Sequence, residues 1–226
     1  GGVIHFWSRA WAPAWPTELS GAIQVTTGPL NGGAVVKQDG SVWNWGSNEF
    51  GQLGGGGVNK RSVPTPVNGL SSVVSVAAGY AHSLALGVDG AVYSWGRNSC
   101  GELGDGSQWP RSKPVRVDGL PSIASIAAGK SQSFAIDRNG RLWGWGENRQ
   151  GQLGDGSAGS GCQLTPKLVS GLPPLAAVAA GDTHTVALGR DGRVWAWGNN
   201  SRGQLGIGPV AADVLCGQSV GTSAGA

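Results

Sequence analysis

The chain has 226 residues, of which 42 are Gly and 12 are Pro, about twice the usual share of these two residues. It is still 39% hydrophobic and contains 11 Trp, so it carries the large apolar groups that a disordered Gly-rich chain lacks. The net charge of +3 is spread thinly, which argues against a coiled coil and against the clustered basic surface of a nucleic-acid-binding protein. No uncharged apolar stretch reaches the roughly 18 residues of a transmembrane helix.

Residues 1–19 form a Trp-rich segment that differs from most of the chain. Trp7, Trp11 and Trp15 fall within nine residues of one another. We expect Trp11 and Trp15 either to cover an exposed sheet edge or to form a docking surface for another chain, because unpaired edges and exposed apolar groups invite partners. The chain begins with Gly and contains no Met, and we therefore expect a processed or truncated product.

From residue 20 to residue 208 the sequence repeats four times. The dipeptide Trp-Gly recurs at Trp45, Trp95, Trp145 and Trp197, with spacings of 50, 50 and 52 residues. Each copy continues in the same way, as in WGRNSCGELGDG from residue 95 and WGENRQGQLGDG from residue 145. A repeat of this length is a complete supersecondary unit.

Each repeat contains four short segments that are typical of β-strands. In the second repeat the first three are Ser75–Ala78, His82–Leu86 and Ala91–Trp95, which are rich in Val, Leu and aromatic residues. An Asp-Gly or Asn-Gly pair follows the second segment of every repeat and favours a tight hairpin. Outer strands, where Pro is tolerated, are predicted at Val63–Val67, Lys113–Val117 and Thr165–Val169. Four antiparallel strands per repeat predict a β-propeller blade.

These repeats resemble those of the regulator of chromosome condensation family, whose hallmark is Gly-x-x-His, an Asp-Gly turn and then Trp-Gly-x-Asn-x-x-Gly-Gln-Leu-Gly. The resemblance covers about residues 20–208 and implies an all-β propeller, usually of seven blades, that serves as a scaffold for more than one activity. The first repeat lacks the His, and the third has Gln132 where the second and fourth have His82 and His184. The near-identical repeats and 11 Arg against 5 Lys favour a bacterial member that is secreted or at the cell surface.

The two ends of the chain look like incomplete blades. Residues 1–7 match the third strand of a repeat, and residues 219–225 are similar to a first strand. We therefore expect four complete repeats with partial blades at both ends, where residues 209–226 start a further blade or close the ring. We favour a piece of a seven-bladed propeller, which would need about 350 residues, over a five-bladed ring, since propellers have four to eight blades.

Residues that recur in every repeat are expected to serve the fold. The i, i+2 aromatic pairs point to one face of a strand and should fill the gap between blades, together with the Leu of each Trp-Gly phrase. The Asn of that phrase should cap the following turn. We expect His82 to bond a backbone carbonyl rather than a metal. The chain has no nucleotide loop, nucleophile motif or C-x-x-C, so we predict no catalysis, no metal and no cofactor.

Residues that differ between repeats at equivalent positions are the candidates for binding. One set should surround a mouth of the central channel: Pro29, Tyr80, Lys130 and Asp182. A second set lies in the variable part of the Trp-Gly loop: Glu49, Phe50, Arg97, Glu147, Arg149 and Arg202. A third set precedes the outer strand: Asn59, Lys60, Arg61, Gln108, Trp109, Arg111, Ser160 and Cys162. Trp109 is the sharpest candidate, and it either anchors a partner or folds over its own blade.

We predict a non-catalytic propeller that presents these variable loops to a protein partner of unknown identity, with self-association possible. One alternative is a structural component that joins chains through its blade edges. The resemblance implies further versions, because family members act as guanine-nucleotide exchange factors on small GTPases, bind chromatin or inhibit β-lactamases. Nucleic acid is not an expected partner.

Overall fold

The structure is a computed structural model that describes residues 19–207, apart from positions 31, 158 and 160. Residues 1–18 and 208–226 lie outside this range, and with them Trp11, Trp15 and most of the partial blades expected at the two ends. The described residues form fifteen β-strands. None of these residues belongs to a helix that could cross a membrane.

The strands form four antiparallel sheets, one for each repeat. The first blade contains β1 (Ala22–Thr26), β2 (Gly33–Lys37), β3 (Val42–Gly46) and β4 (Arg61–Pro66). The second contains β5 (Val73–Ala78), β6 (His82–Gly87), β7 (Val92–Gly96) and β8 (Arg111–Arg116). The third contains β9 (Ile123–Ala128), β10 (Gln132–Asp137), β11 (Leu142–Glu147) and β12 (Cys162–Leu168). The fourth contains β13 (Leu175–Ala180), β14 (His184–Gly189) and β15 (Val194–Gly198).

The strand order within each sheet follows the chain, so that β1, β5, β9 and β13 are the inner strands. Consecutive inner strands contact one another. The hairpins between the second and third strands lie where the Asp-Gly and Asn-Gly pairs predict them. In the first blade, Gly40 adopts a φ of 76° and the Ser41 amide donates to Asp39 Oδ1 at 2.9 Å. The predicted all-β propeller architecture is confirmed.

The outer strands begin earlier than the sequence predicts, at Arg61, Arg111 and Cys162. The reason is a register shift in each ladder with the third strand, which lets pairing continue to the last residue of that strand. In this way Gly46 pairs with Arg61 and Gly96 pairs with Arg111. The start of each outer strand is therefore held next to its Trp-Gly loop, the segment between the third strand and the outer strand.

The hydrophobic core lies between neighbouring blades. The rings of Trp95, Trp145 and Trp197 are at most 3% exposed. Each indole donates to a backbone carbonyl in the loop of the preceding blade, and Trp145 reaches the Glu102 carbonyl at 2.9 Å. Gly104 lies under this ring with φ of 67°, and a Cβ there would come within 2.9 Å of the indole nitrogen. These contacts confirm that the recurring Trp side chains are packing residues.

The Asn of the Trp-Gly phrase organises its loop from the side-chain amide, as the sequence predicts. In the first blade, Asn48 accepts from the Leu53 amide at 2.9 Å and donates to the carbonyls of Gly57 and Asn59. Asn98 and Asn148 make the same bond to the Leu five residues later. The loops are thus fixed by their own side chains.

The first and last described blades each leave one apolar face open among the described residues. Leu188 and Val194 in the fourth blade are 41% and 40% exposed, whereas their counterparts Leu86 and Val92 are 4% and 1% exposed. At the other end, Val25 is 60% exposed. These faces correspond to the two sides of an ordinary contact between blades.

Candidate functional site

The channel mouth is formed by the ends of the four inner strands. These ends enclose a cavity of about 270 Å³ whose walls are mostly Ala and Gly. The larger side chains at its edge are Pro29, Tyr80, Lys130 and Asp182, the set that the sequence predicts there. The walls are small residues, Ala and Gly in three blades with Thr27 in the first, so the charge and the aromatic character of the mouth come from these larger side chains.

Backbone hydrogen bonds between blades fix the spacing of the mouth residues. The Leu30 amide donates to the Tyr80 carbonyl at 3.1 Å, and the Tyr80 amide donates to the Gly129 carbonyl at 3.3 Å. The Lys130 backbone amide continues the series by donating to the Gly181 carbonyl at 3.4 Å. Each blade therefore contributes one variable side chain at a fixed step around the mouth.

The side chains at the mouth interact weakly with one another. The Lys130 ammonium lies 4.0 Å from Asp182 and 6.0 Å from the centre of the Tyr80 ring. The side chains of Lys130 and Asp182 are 44% and 77% exposed. Exposed pairs of this length contribute little to stability, so both groups are available to a partner.

The variable residues of the Trp-Gly loops do not form one cluster. Arg97 lies 5.8 Å from the Phe50 ring of the preceding blade and 3.9 Å from the buried Glu102. Arg149 contacts Glu147 of its own loop at 3.7 Å and is 70% exposed. Phe50 and Arg97 therefore meet at a seam between blades, whereas Arg149 contacts its own loop.

Trp109 is 74% exposed, so its ring does not fold over its own blade. Its backbone is held nonetheless, because the Trp109 carbonyl accepts from Asn98 at 3.1 Å and its amide donates to Ser107 Oγ at 3.3 Å. The preceding residue, Gln108, donates from its side chain to the Ser99 carbonyl. The loop therefore presents a large apolar ring on a fixed backbone.

Buried acidic residues in two of the loops pair with a cation from the adjoining outer strand. Asp105 pairs with Arg111 and Asp155 pairs with Lys167, each at closest distances of 2.7 to 2.8 Å. Burial of Asp155 raises its pKa, but hydrogen bonds from Lys167 and Ser157 outweigh that effect and hold the pKa at about 2. These carboxylates therefore stabilise their own turns and pair with the outer strand.

Cys100 and Cys162 form a disulfide between the second and third blades. Cys100 lies in the Trp-Gly loop of the second blade and Cys162 begins β12. The Gly106 amide donates to the Leu164 carbonyl at 3.1 Å beside it. The sequence left this pairing open, because no local pattern shows that the loop of one blade lies on the outer strand of the next.

His82 is fully enclosed between two blades and is neutral. Its Nε2 lies 3.0 Å from Ser133 Oγ, and this hydroxyl donates to the Glu102 carbonyl at 2.7 Å. Burial, with a further effect from the charge of Arg97, lowers the pKa of His82 to about 4. This Ser and His pair is 0% to 1% exposed, so substrate has no access to it. Within the described ranges no three His, Cys, Asp or Glu side chains could hold a metal ion.

Comparison with known proteins places the chain among propeller repeats. The chain is similar to Prp20p from Saccharomyces cerevisiae, whose structure superimposes with a TM-score of 0.79 at 26% identity. That structure was described together with the binding properties of Prp20p to Gsp1p and histones. It is matched over 93% of this chain and 52% of that one. Human WBSCR16 superimposes with a TM-score of 0.76 at 25% identity, over 88% of this chain and 52% of its own.

A shorter match joins the chain to human Protein RCC2, which is 43% identical over 54 residues, 23% of this chain and 10% of the relative. The chain thus spans about half the length of the similar solved structures and a smaller part of this relative. The family model for the RCC1-like domain matches residues 11–223. On that match, which covers nearly the whole sequence, the chain belongs to the RCC1-like domain family.

Proposed function

We propose that this propeller segment acts by binding a protein partner at the channel mouth, without catalysis. The observation that carries this proposal is the placement of Tyr80, Lys130 and Asp182, which differ between otherwise similar repeats, around one cavity. An aromatic ring, a cation and an anion on a rigid frame are suited to a polar protein surface. The yeast relative's binding to Gsp1p and histones supports a protein as the class of partner.

Site-specific photo-cross-linking tests this proposal. With p-benzoyl-L-phenylalanine in place of Tyr80, irradiation in a lysate of the source organism is expected to give one dominant protein adduct. The same group at Val88, which is 63% exposed in a hairpin turn at the other end of the strands, is the control. Replacing Lys130 and Asp182 by Ala should reduce the adduct several-fold. An adduct yield at position 80 no greater than that at position 88 would contradict the proposal.

A second candidate function is assembly with other chains through the open face of the fourth blade. Leu188 and Val194 are exposed there, and Ala177, Val178, Ala179, Val186 and Ala187 line the same shallow apolar depression. The equivalent face of the second blade is buried against its neighbour. An exposed apolar face of this kind is typical of a surface that another chain covers.

Light scattering over a concentration series tests the assembly candidate. If the open face joins chains, the apparent mass should rise with concentration. Leu188→Glu should raise the midpoint concentration of that rise at least tenfold, because burying an unpaired charge is costly. Val88→Glu is the matched control, because Val88 is exposed in a turn. A constant monomer mass for the unmodified chain would exclude this candidate.

Two narrower expectations remain predictions. Guanine-nucleotide exchange predicts an acidic or polar cluster at one face and nucleotide release from a GTPase. The mouth has a single described carboxylate, Asp182, which lies near Lys130, so an acidic cluster does not support exchange there. We therefore favour binding over exchange.

The expected bacterial origin rests on the Arg to Lys ratio and the near-identity of the repeats. The relatives named above come from yeast and human.

A further inference from the structure

A surface at the seam between the first and second blades combines positive charge with exposed apolar groups. We define it as the outer rim surface, which comprises residues 56–63 of the first blade and 107–113 of the second. The two segments meet because the Gly56 amide donates to the Ser112 carbonyl at 2.7 Å. The side chain of Lys113 also lies over Gly56, where a Cβ would stand 2.9 Å from Lys113 Cε.

One arginine on this surface lacks the partner that its counterpart has. Arg61 and Arg111 occupy equivalent places, since each pairs with the glycine that ends the third strand. Arg111 is neutralised by Asp105 at 2.8 Å, but the residue equivalent to Asp105 in the first blade is Gly55. The Arg61 guanidinium lies in the space that a Cβ at Gly55 would need. Its Nη1 is buried without a hydrogen-bond acceptor among the described residues.

Two further cations on the outer rim surface are also uncompensated. Lys60 and Lys113 are exposed, and neither forms an ion pair with any residue that the structure describes. Residues 56–63 and 107–113 contain no Asp or Glu. The third blade differs, because Lys167, a cation elsewhere on its outer strand, is held by Asp155 at 2.7 Å. Lys60, Arg61 and Lys113 therefore bring three cations without an ion pair in the described residues to the seam between the first two blades.

Apolar side chains on the same surface provide contact area. Trp109 is 74% exposed and Val58 is 60% exposed. The hydrogen bonds that hold the Trp109 backbone reduce the entropy lost when a partner covers its ring. Trp and Arg are the residue types that most often carry the binding energy of protein interfaces.

We infer that the outer rim surface binds an acidic, extended segment of a protein partner. One carboxylate of that segment pairs with Arg61, as Asp105 pairs with Arg111, while others approach Lys60 and Lys113 and an apolar side chain packs on Trp109. Three free cations beside apolar groups suit a peptide, whereas nucleic acid is bound through many phosphate contacts. This inference rests on the proposed function, because it names a partner class for a second surface of the same protein-binding scaffold.

Selection from a phage-displayed library of random 12-residue peptides, with the full chain as bait, tests the inference. The enriched peptides are expected to be rich in Asp and Glu with at least one aromatic or Leu residue. Their binding is then measured by fluorescence anisotropy. Trp109→Ala should weaken it by about tenfold or more. Val88→Ala, at the other end of the strands, should leave it unchanged.

The decisive variant is Gly55→Asp, which copies the second blade. The φ of Gly55 lies outside the left-handed region, and the atoms that a Cβ would meet all belong to the end of the Arg61 side chain. An Asp therefore fits once this flexible guanidinium shifts to face the new carboxylate. The new carboxylate should neutralise Arg61 and raise Tm by about 2–4 °C, the shift that roughly 1 kcal/mol gives in a chain of this size. It should also weaken the binding of the acidic peptides at least fivefold. Lost binding in a stabilised variant cannot be attributed to misfolding.

Three results would overturn the inference. The first is that the enriched peptides show no acidic bias. The second is that Gly55→Asp and the unmodified chain bind the peptides equally. The third is that a 20-nucleotide single-stranded DNA binds more tightly than the peptides and that its binding is weakened by Gly55→Asp. The failure of the proposed function is recognised separately, because cross-linking at Tyr80 does not involve the outer rim surface. Loss of adduct at position 80 with intact peptide binding would leave this surface as the binding site.

Discussion

At the scale of single residues, a backbone carbonyl in each Trp-Gly loop joins its blade to the next one. The Gln52 carbonyl accepts from the Trp95 indole at 2.8 Å and from the Ser83 hydroxyl at 3.2 Å. Because a carbonyl oxygen has two lone pairs, this arrangement satisfies two buried donors at once. The Glu102 carbonyl repeats it with Trp145 and Ser133, and the Ser133 hydroxyl also bonds to His82 Nε2.

The burial of His82 makes the free energy of unfolding depend on pH. Its pKa is about 4 in the folded chain and near 6.5 when unfolded, so between these values the unfolded chain binds a proton that the folded chain does not. Stability is therefore fully present above pH 6.5 and falls as the pH falls toward 4. We expect a loss of about 2 kcal/mol between pH 7 and pH 5 from this residue, measured by urea denaturation.

His82→Gln is the matched variant for this measurement, because the third repeat has Gln132 at the same place, where its side chain donates to the Gly181 carbonyl at 2.7 Å. The variant should remove most of the pH dependence between pH 5 and pH 7. An equal slope in the variant and the unmodified chain would show that other groups cause it.

At the scale of elements, the Trp-Gly loops of the first and second blades each lie on the outer strand of the following blade. Gly56 bonds to Ser112 in β8, and Gly106 bonds to Leu164 in β12. The disulfide of Cys100 and Cys162 reinforces the second of these contacts. An outer strand would otherwise be a free edge, so the loop both covers it and fixes the position of Trp109.

Removing this disulfide should destabilise the chain by about 2–4 kcal/mol, because it closes a long loop with a sequence separation of 62. The chain has one further cysteine, Cys216, and Cys216→Ser is the control that keeps Cys100 and Cys162. It is compared with the double variant Cys100→Ser and Cys162→Ser in guanidinium chloride, with reductant present or absent. Reductant should lower the stability of Cys216→Ser and leave the double variant unchanged. No effect of reductant on Cys216→Ser would contradict the prediction.

The strands, hairpins and packing residues were predictable from sequence because local chemistry determines them. Asp39 and Gly40 specify a turn, and Trp145 is apolar in a strand. The unpartnered Arg61 also leaves a signal, since the first loop has Gly55 where the second and third have Asp. The Cys100 pairing and the contact of Lys113 with Gly56 were not predictable, because they depend on how one blade lies on its neighbour.

At the scale of the whole molecule, the described blades form a linear series in which each contacts its neighbours. The three core clusters lie at successive seams and share no residue. Stability in such a series is approximately a sum of blade and seam contributions. The seams are alike while the channel mouth and outer rim surface vary, so that a change at either surface need not disturb the core.

The shared loop carbonyl has a further consequence for how such a gene can change. Each of the three junctions between the described blades joins an indole and a hydroxyl of one repeat to the same backbone oxygen of the repeat before it. Unequal recombination that removes or duplicates a whole repeat therefore creates a junction of the same kind, with no new contact to be selected. Repeat number and binding specificity can then evolve separately, the first by copying and the second by point substitution in the loops.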